Sequence, residues 1–589
     1  MRALIVATVL GLSLLATPAC KEPDPNKWET HIEKIKDPDS RATGFSGLER
    51  LVKTVASAKN NDDLKKEFAD KVVPVFDDMW SEAEEQQETM LKLMLDIGHP
   101  GASTVWNKAI GLDGSTGARK NTILALEGIK KARATDSTET VIAALDNLIA
   151  DPKNDQGEPA GEVRLLMVET LGELGDKRAV PVLVKALEQK GEDQPVAVHR
   201  AAADALGQIG DPDPAAIDAL LTVSYRVMDA ATSRNIAERA KGALAAFGDA
   251  AVPRVLDMFR GDHDEVQKLA AEAGLSQVNI QMAAALILGA IGSDKAADEL
   301  TKFFPTTECT APPVDKKKEE PKEGEEEEEV EAPEIDEGNI RAVVANALGN
   351  IGAAGAAERL CTCAKFSKNP GDMFPINEAL GKMGGEKAVD CLVDVVKTAE
   401  YDPEAVTNSD FKYEIRWQSA RFAVQAADAD QIGKVKEAIA AQTDPKVKEN
   451  MAQWAKGIAV VEECKKDKDC YLAKLKDTNE DWFAREKAAL ELVRLAPGDK
   501  GVAQEIAKAY KVRDPDGRVT MAWAAAKIMN GGRCQACADE FERIMDSEKD
   551  SRLDAKYQLS VLTARYTVAK LREPGTPAAS ASGGDAKKE

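Results

Sequence analysis

The stretch VRLLMVETLGELGDKRAVPVLVKAL, residues 163–187, decides the fold. Its apolar residues Val163, Leu166, Met167, Leu171 and Leu174 recur at the three- and four-residue steps of one buried helix face. The same phase returns at Val198, Ala202, Leu206 and Ile209, at Ile280, Ala284, Leu288 and Ile291, and at Ile340, Val344, Leu348 and Ile351. A more worn copy runs through Ile236, Ala240, Ala243, Leu244 and Phe247. Each copy ends in glycine, at Gly175, Gly210, Gly248, Gly292 and Gly352, and Gly384 ends a further one. Glycine suits the left-handed position that stops a helix. A second, shorter helix follows, as in Ala179–Leu187, where Pro181 stands near the start and its missing N–H leaves no bond unmade.

Such helix pairs, repeated every 30–45 residues or so, stack into a solenoid. The expected fold class is therefore all-α, an α-solenoid. An inner glycine (Gly172, Gly207, Gly289, Gly349, Gly381) falls inside the helical pattern. There it costs about 1 kcal/mol against alanine. Its constant phase predicts that the paired helix crosses close at that point.

The text of residues 163–187, with VHRAAADALGQIGDPDPAAIDALL (198–221) and IRAVVANALGNIGAAGAAERL (340–360) behind it, resembles the HEAT-repeat family in its short bacterial form, also seen in phycobilin lyases. The resemblance covers about residues 160–400 and fades on either side. It implies a right-handed superhelix whose second helices line a concave surface. The flanks read as degenerate continuations, with aspartate–proline helix starts at Asp37, Asp444 and Asp514. Trp454, Trp482 and Trp523 lie on alanine-rich helical patterns and are expected in the core.

The N-terminus reads as a targeting segment: Met1-Arg2, an apolar run from Ala3 to Leu15, then Ala16-Thr17-Pro18-Ala19-Cys20. Small residues before a cysteine resemble a bacterial lipobox. That implies cleavage before Cys20 and its lipidation, with ordinary secretion and an uncleaved anchor as the alternatives. By the same resemblance, Lys21 directs the chain to the outer membrane, facing the periplasm or the cell surface.

The net charge of −23 argues against nucleic acid, which needs a basic surface. Eight cysteines follow Cys20, an even number that suggests disulfides in an exported chain. Cys464 and Cys470 flank a charged turn and are candidates for one bond. Cys534 and Cys537 form a CxxC at a helix start, either a structural disulfide or a redox pair. Cys309, Cys361, Cys363 and Cys391 can supply two further bonds, with their pairing open.

Sixty residues separate Gly292 from Gly352, against 35 between Gly175 and Gly210. Proline and charge runs, including Glu325 to Glu329, mark the difference as an acidic insertion with the composition of a disordered segment. The expected division is a signal peptide (1–19), a lipid-anchored linker (20–30), N-terminal repeats (31–305), the insertion (306–338), C-terminal repeats (339–572) and a disordered tail (573–589).

No GxSxG, HExxH, phosphate-loop or EF-hand motif occurs, and the four histidines are scattered. No metal, cofactor or small-molecule substrate is expected. His263, in Gly261-Asp262-His263-Asp264-Glu265, is expected in an exposed polar loop. The function that follows is a non-catalytic, protein-binding scaffold of the cell envelope, held to the membrane by its N-terminal lipid. A lyase-like or thiol-redox enzyme and a structural subunit of an envelope assembly are the alternatives. The partner's identity is not encoded. Polar residues of second helices form the candidate binding surface: Arg178, Lys185, Asp218, Arg254, Asp257, Lys295, Glu299 and Arg359.

Overall fold

Helix periodicity runs through nearly all of the chain, and the structure follows it. The computed structural model describes residues 24–58, 61–111, 116–155, 161–190, 194–226, 230–307, 309, 337–367, 370–398, 411–548 and 554–576. Among these residues no strand occurs. Cys20 with its leader, the Glu325–Glu329 run and the end of the tail lie outside them. Contacts divide the chain into Met1–Gly111 with Ser115–Ser137, and Leu112–Gly114 with Thr138–Glu589.

The first unit holds α1 (Trp28–Lys36), α2 (Arg41–Ser57), α3 (Asp62–Lys71), α4 (Val73–Met79), α5 (Gln87–Ile97), α6 (Ser103–Ala109) and α7 (Thr116–Ala132). Helices α2, α5 and α7 stack in turn. Aromatic rings fill the layer beneath them: Trp28 meets Phe68 edge-on at 5.3 Å, and Phe45 stacks on Phe76 at 5.9 Å. Asp37 does not cap a helix. It follows α1 and accepts from the Asp39 N–H and the Ser40 hydroxyl, and α2 begins only at Arg41.

The second unit continues the helix pairs. It opens with α8 (Thr138–Ala150), α9 (Glu162–Leu174), α10 (Val180–Glu188), α11 (Val196–Ile209), α12 (Pro214–Arg226), α13 (Ala230–Phe247), α14 (Val252–Arg260) and α15 (Asp264–Glu272). Next come α16 (Gln277–Ile291), α17 (Ala297–Phe303), α18 (Glu337–Ile351), α19 (Ala357–Ala364), α20 (Met373–Met383), α21 (Glu386–Thr398), α22 (Phe411–Ala426) and α23 (Ile432–Ala440). It closes with α24 (Pro445–Met451), α25 (Ala455–Cys464), α26 (Lys468–Lys476), α27 (Trp482–Leu495), α28 (Lys500–Ala509), α29 (Pro515–Met529), α30 (Gln535–Glu548) and α31 (Asp554–Leu571).

First helices α9, α11, α13, α16, α18, α20 and α22 stack on one another in sequence. Here α16 packs on α18 across the insertion, so the stack of first helices is continuous there. The inner glycines set the spacing. A Cβ on Gly349 would stand 2.7 Å from the Ala379 Cα, and one on Gly207 3.0 Å from the Ala243 Cα. The close neighbour is thus the next repeat's first helix, not the paired second helix. Helix-ending glycines take the left-handed conformation, with φ 67° at Gly175 and 73° at Gly292.

The row of first helices then curls back. Helices α25, α27, α29 and α31 continue it, and α31 packs on α13. Cations from the last repeats reach helix C-termini across this seam. Arg533 donates to the Ala246 carbonyl at 2.6 Å, Lys527 to Ile351 at 2.5 Å, and Arg494 to Ala426 at 2.7 Å. Unsatisfied carbonyls and the helix dipole make each terminus a favourable place for positive charge. Beyond α31, the Gly575 N–H donates to the Gln208 carbonyl at 3.1 Å and Pro574 packs at Gly210. Residues 573–576, expected to open the disordered tail, are therefore docked. First helices face the inside of this curl, so second helices do not line a concave surface in this unit.

The eight cysteines after Cys20 form four disulfides: Cys309–Cys363, Cys361–Cys391, Cys464–Cys470 and Cys534–Cys537. The first lies at the base of the insertion. There Arg341, 1 % exposed, pairs with Asp372 and donates to the carbonyls of Pro305 and Thr307. Trp454 and Trp523 are core residues, but Trp482 is only half-buried. Its ring and that of Trp454 flank the Arg421 guanidinium, at 5.3 and 5.6 Å.

Candidate binding groove

Helix α14 buries Val252, Val255, Leu256, Met258 and Phe259 and turns Arg254, Asp257 and Arg260 outward, the pattern of an amphipathic surface helix. Helix α17 is shorter. It anchors on Leu300 and leaves Phe303 half-exposed. Together with Gln281 of α16, the two helices line an open groove of about 630 Å³. Leu256, Phe259 and Phe303 form its floor, and Arg260, Gln281, Lys295, Asp298, Glu299 and Lys302 its rim. Phe259 meets Phe303 edge-on at 4.8 Å, a geometry aromatic quadrupoles favour.

The rim belongs to a run of ion pairs across successive second helices. Asp218 of α12 accepts from Arg254 Nε and Nη2, both at 2.8 Å. Arg254 also reaches Asp257 at 3.4 Å, and Arg260 lies 3.6 Å from Asp257 and pairs with Glu299 of α17. These hydrogen bonds raise the pKa of both arginines, Arg254 through Asp218 and Arg260 through Glu299. Lys295 lies 3.0 Å from Asp249, whose carboxyl is held below its ordinary value by the Ser293 hydroxyl and by Lys295. Exposed pairs of this kind contribute roughly 0–1 kcal/mol each. They fix side-chain positions more than they stabilise the fold. Lys302 is exposed and has no ion-pair partner among the described residues.

Five of the eight residues expected to form the binding surface come together here: Asp218, Arg254, Asp257, Lys295 and Glu299. The other three do not. Arg178 and Lys185 lie earlier in the array, paired with Glu139 and Asp146 at 2.8 and 2.6 Å. Arg359 donates to the Phe304 carbonyl at 3.0 Å and serves the base of the insertion. His263 is not in an exposed loop. It is 3 % exposed, its Nδ1 accepts from the Val266 N–H to cap α15, and its Nε2 lies 3.3 Å from Asp218. Sequence reading missed Phe259, Arg260, Lys302 and Phe303. Phe259 reads as core and is core, at 2 % exposed, and the exposure of Phe303 depends on where α17 lies beside α14, which helical periodicity does not encode.

Cys534 and Cys537 are 4 % and 0 % exposed, and their disulfide sits beneath the end of α31, where the Cys534 N–H donates to the Leu571 carbonyl. Among the described residues no group of three or more His, Cys, Asp or Glu side chains is arranged to hold a metal ion. No described helix is long and apolar enough to cross a membrane.

Residues 156–231 match the family described as HEAT repeats. No curated protein matches the sequence. Solved structures with a similar course include Kap121p, at 12 % identity, covering 92 % of this chain and 67 % of that one with a TM-score of 0.24. UNC-45 from Drosophila melanogaster is 12 % identical over 92 % of this chain and 87 % of its own, with a TM-score of 0.23. Human deoxyhypusine hydroxylase in complex with glycerol is 13 % identical over 76 % and 98 %, with a TM-score of 0.14.

Proposed function

We propose that this HEAT-repeat solenoid is a non-catalytic scaffold that docks a protein partner in the groove between α14 and α17. The observation that carries this reading is the aromatic floor of Phe259 and Phe303 inside a charged rim, with Lys302 free to pair. Interface centres take large apolar anchors in pockets, and rims take polar contacts. A fitting partner inserts one apolar side chain against Phe303 and offers a carboxylate to Lys302. The test is a photocrosslinking residue at position 302 in cells, with position 185 as the control. A discrete adduct at 302 that is lost on Phe303→Ala, and is absent at 185, supports the reading. Adducts at 185 with none at 302 overturn the groove assignment.

The place of action is a bacterial envelope, with the chain lipid-anchored through Cys20 at the outer membrane. The N-terminal sequence supports this, and so do four disulfides, which persist in oxidising compartments. Cys20→Ser should move the protein from the membrane to the soluble fraction. A soluble wild-type protein with the leader uncleaved would sink the anchor.

A further inference from the structure

Aromatic residues make up 5 % of the chain, yet three of its seven tryptophans gather on elements that take no part in the groove. Trp417 lies on α22, Trp454 in the turn before α25 and Trp482 at the start of α27. Trp454 is core, and its Nε1 donates to the Trp417 carbonyl at 2.8 Å. Trp417 stacks on it at 6.1 Å, and Trp482 meets it edge-on at 6.4 Å. The two outer rings are half-buried, so each keeps part of its surface open to solvent.

Arg421, four residues after Trp417 on α22, fixes the polar side of the cluster. Its Nη2 donates to both Glu486 oxygens at 3.3 Å, and its Nη1 to Asp516 Oδ2 at 3.0 Å. The Asp516 side chain is 69 % exposed, and its Oδ1 accepts no hydrogen bond among the described residues. The indole N–H groups of Trp417 and Trp482 donate to nothing among the described residues. Neither is sealed from solvent, unlike the buried, unpartnered Trp106 Nε1. The cluster therefore presents two aromatic surfaces, two hydrogen-bond donors and one carboxylate oxygen, held on α22, α27 and α29.

We propose that Trp417, Trp482 and Asp516 bind a proline-rich segment of a partner protein that carries a basic residue beside its prolines. An ordinary extended peptide brings an N–H for every carbonyl, and an indole N–H donates but does not accept. Proline has no N–H, so a proline-rich segment shows carbonyls that the two indoles satisfy and leaves no donor over. Its rings pack on aromatic surfaces as a preformed left-handed helix rising about 3 Å per residue, so a short run reaches both tryptophans. The exposed Asp516 oxygen suits an arginine or lysine on the same segment. This site stands apart from the groove between α14 and α17 and does not depend on it.

The test is fluorescence anisotropy of the full-length protein with a labelled hexaproline peptide ending in arginine. The peptide should bind wild type, and a glycine–serine peptide ending in arginine should bind about tenfold more weakly or not at all. Trp417→Leu and Trp482→Leu should each weaken hexaproline binding about tenfold. Exposed Asp516 gives a check that does not depend on core packing. Asp516→Asn should still bind the peptide but lose the preference of wild type for an arginine end over a glutamine end. Phe303→Ala, in the groove, should bind as wild type does. The site is overturned if wild type does not bind, if the glycine–serine peptide binds equally, or if both tryptophan variants keep full affinity. An arginine preference that survives Asp516→Asn, or loss of binding in Phe303→Ala, overturns it too.

Discussion

At Gly349 two physical effects oppose each other. Alanine would add about 1 kcal/mol of helix propensity. Its Cβ would also stand 2.7 Å from the Ala379 Cα, and backbone cannot step aside. Overpacking of this kind costs roughly 1–3 kcal/mol, so Gly349→Ala should lower the urea midpoint. Gly433→Ala is the converse. Nothing lies within 4 Å of that Cβ, so the change should stabilise by about 0.5–1 kcal/mol. Arg421 poses a different problem. It is 5 % exposed and pairs with Glu486, itself 0 % exposed. Burial works against the charge on Arg421, but Glu486, Asp516 and Asp514 outweigh it and raise its pKa. Arg421→Met would leave a buried carboxylate without its cation, a loss of about 3–5 kcal/mol in chemical denaturation. The glycine at a constant phase was legible in the sequence as a close approach. Which helix approaches was not, because that depends on the register between repeats.

Helix α27 buries a lysine. Lys487 is 0 % exposed and donates to the Gln425 and Ala427 carbonyls and to Glu491. Burial pushes its amine down to about 8, against the opposing pull of Glu491. In the unfolded chain a lysine titrates near ~10.4. Below about 8 both states hold the proton, and the folded state carries the full cost of the buried charge, about 3 kcal/mol. Between these values the unfolded state binds more protons, so this group's contribution to stability rises with pH. The stability of wild type relative to Lys487→Met should therefore improve from neutral to mildly alkaline pH in paired urea titrations. A difference that stays flat would contradict the assignment. Helix existence and the glycine stops were readable at this scale, since both follow from periodicity and backbone sterics. The seam was not. Arg533 and Lys527 meet carbonyls 287 and 176 residues away, and no periodic pattern links such partners.

On the scale of the molecule, the insertion interrupts the sequence without interrupting the array. The Cys309–Cys363 bond spans it, and Arg341 ties its far side to Pro305 and Thr307. Proteolysis within residues 310–336 should then give fragments that run together on a non-reducing gel and separate only after reduction. The nicked protein should keep the helical circular dichroism of the intact chain. Fragments that separate without reductant would refute the pairing. The contact of α31 with α13, extended by Gly575 beside Gly175, has a mechanical consequence as well. A row of repeats with two loose ends is a soft spring, because small flexures at each interface add along its length. Joining the last helix to an early one turns that spring into a hoop. Tension on this unit must then shear many contacts at once instead of peeling repeats one at a time.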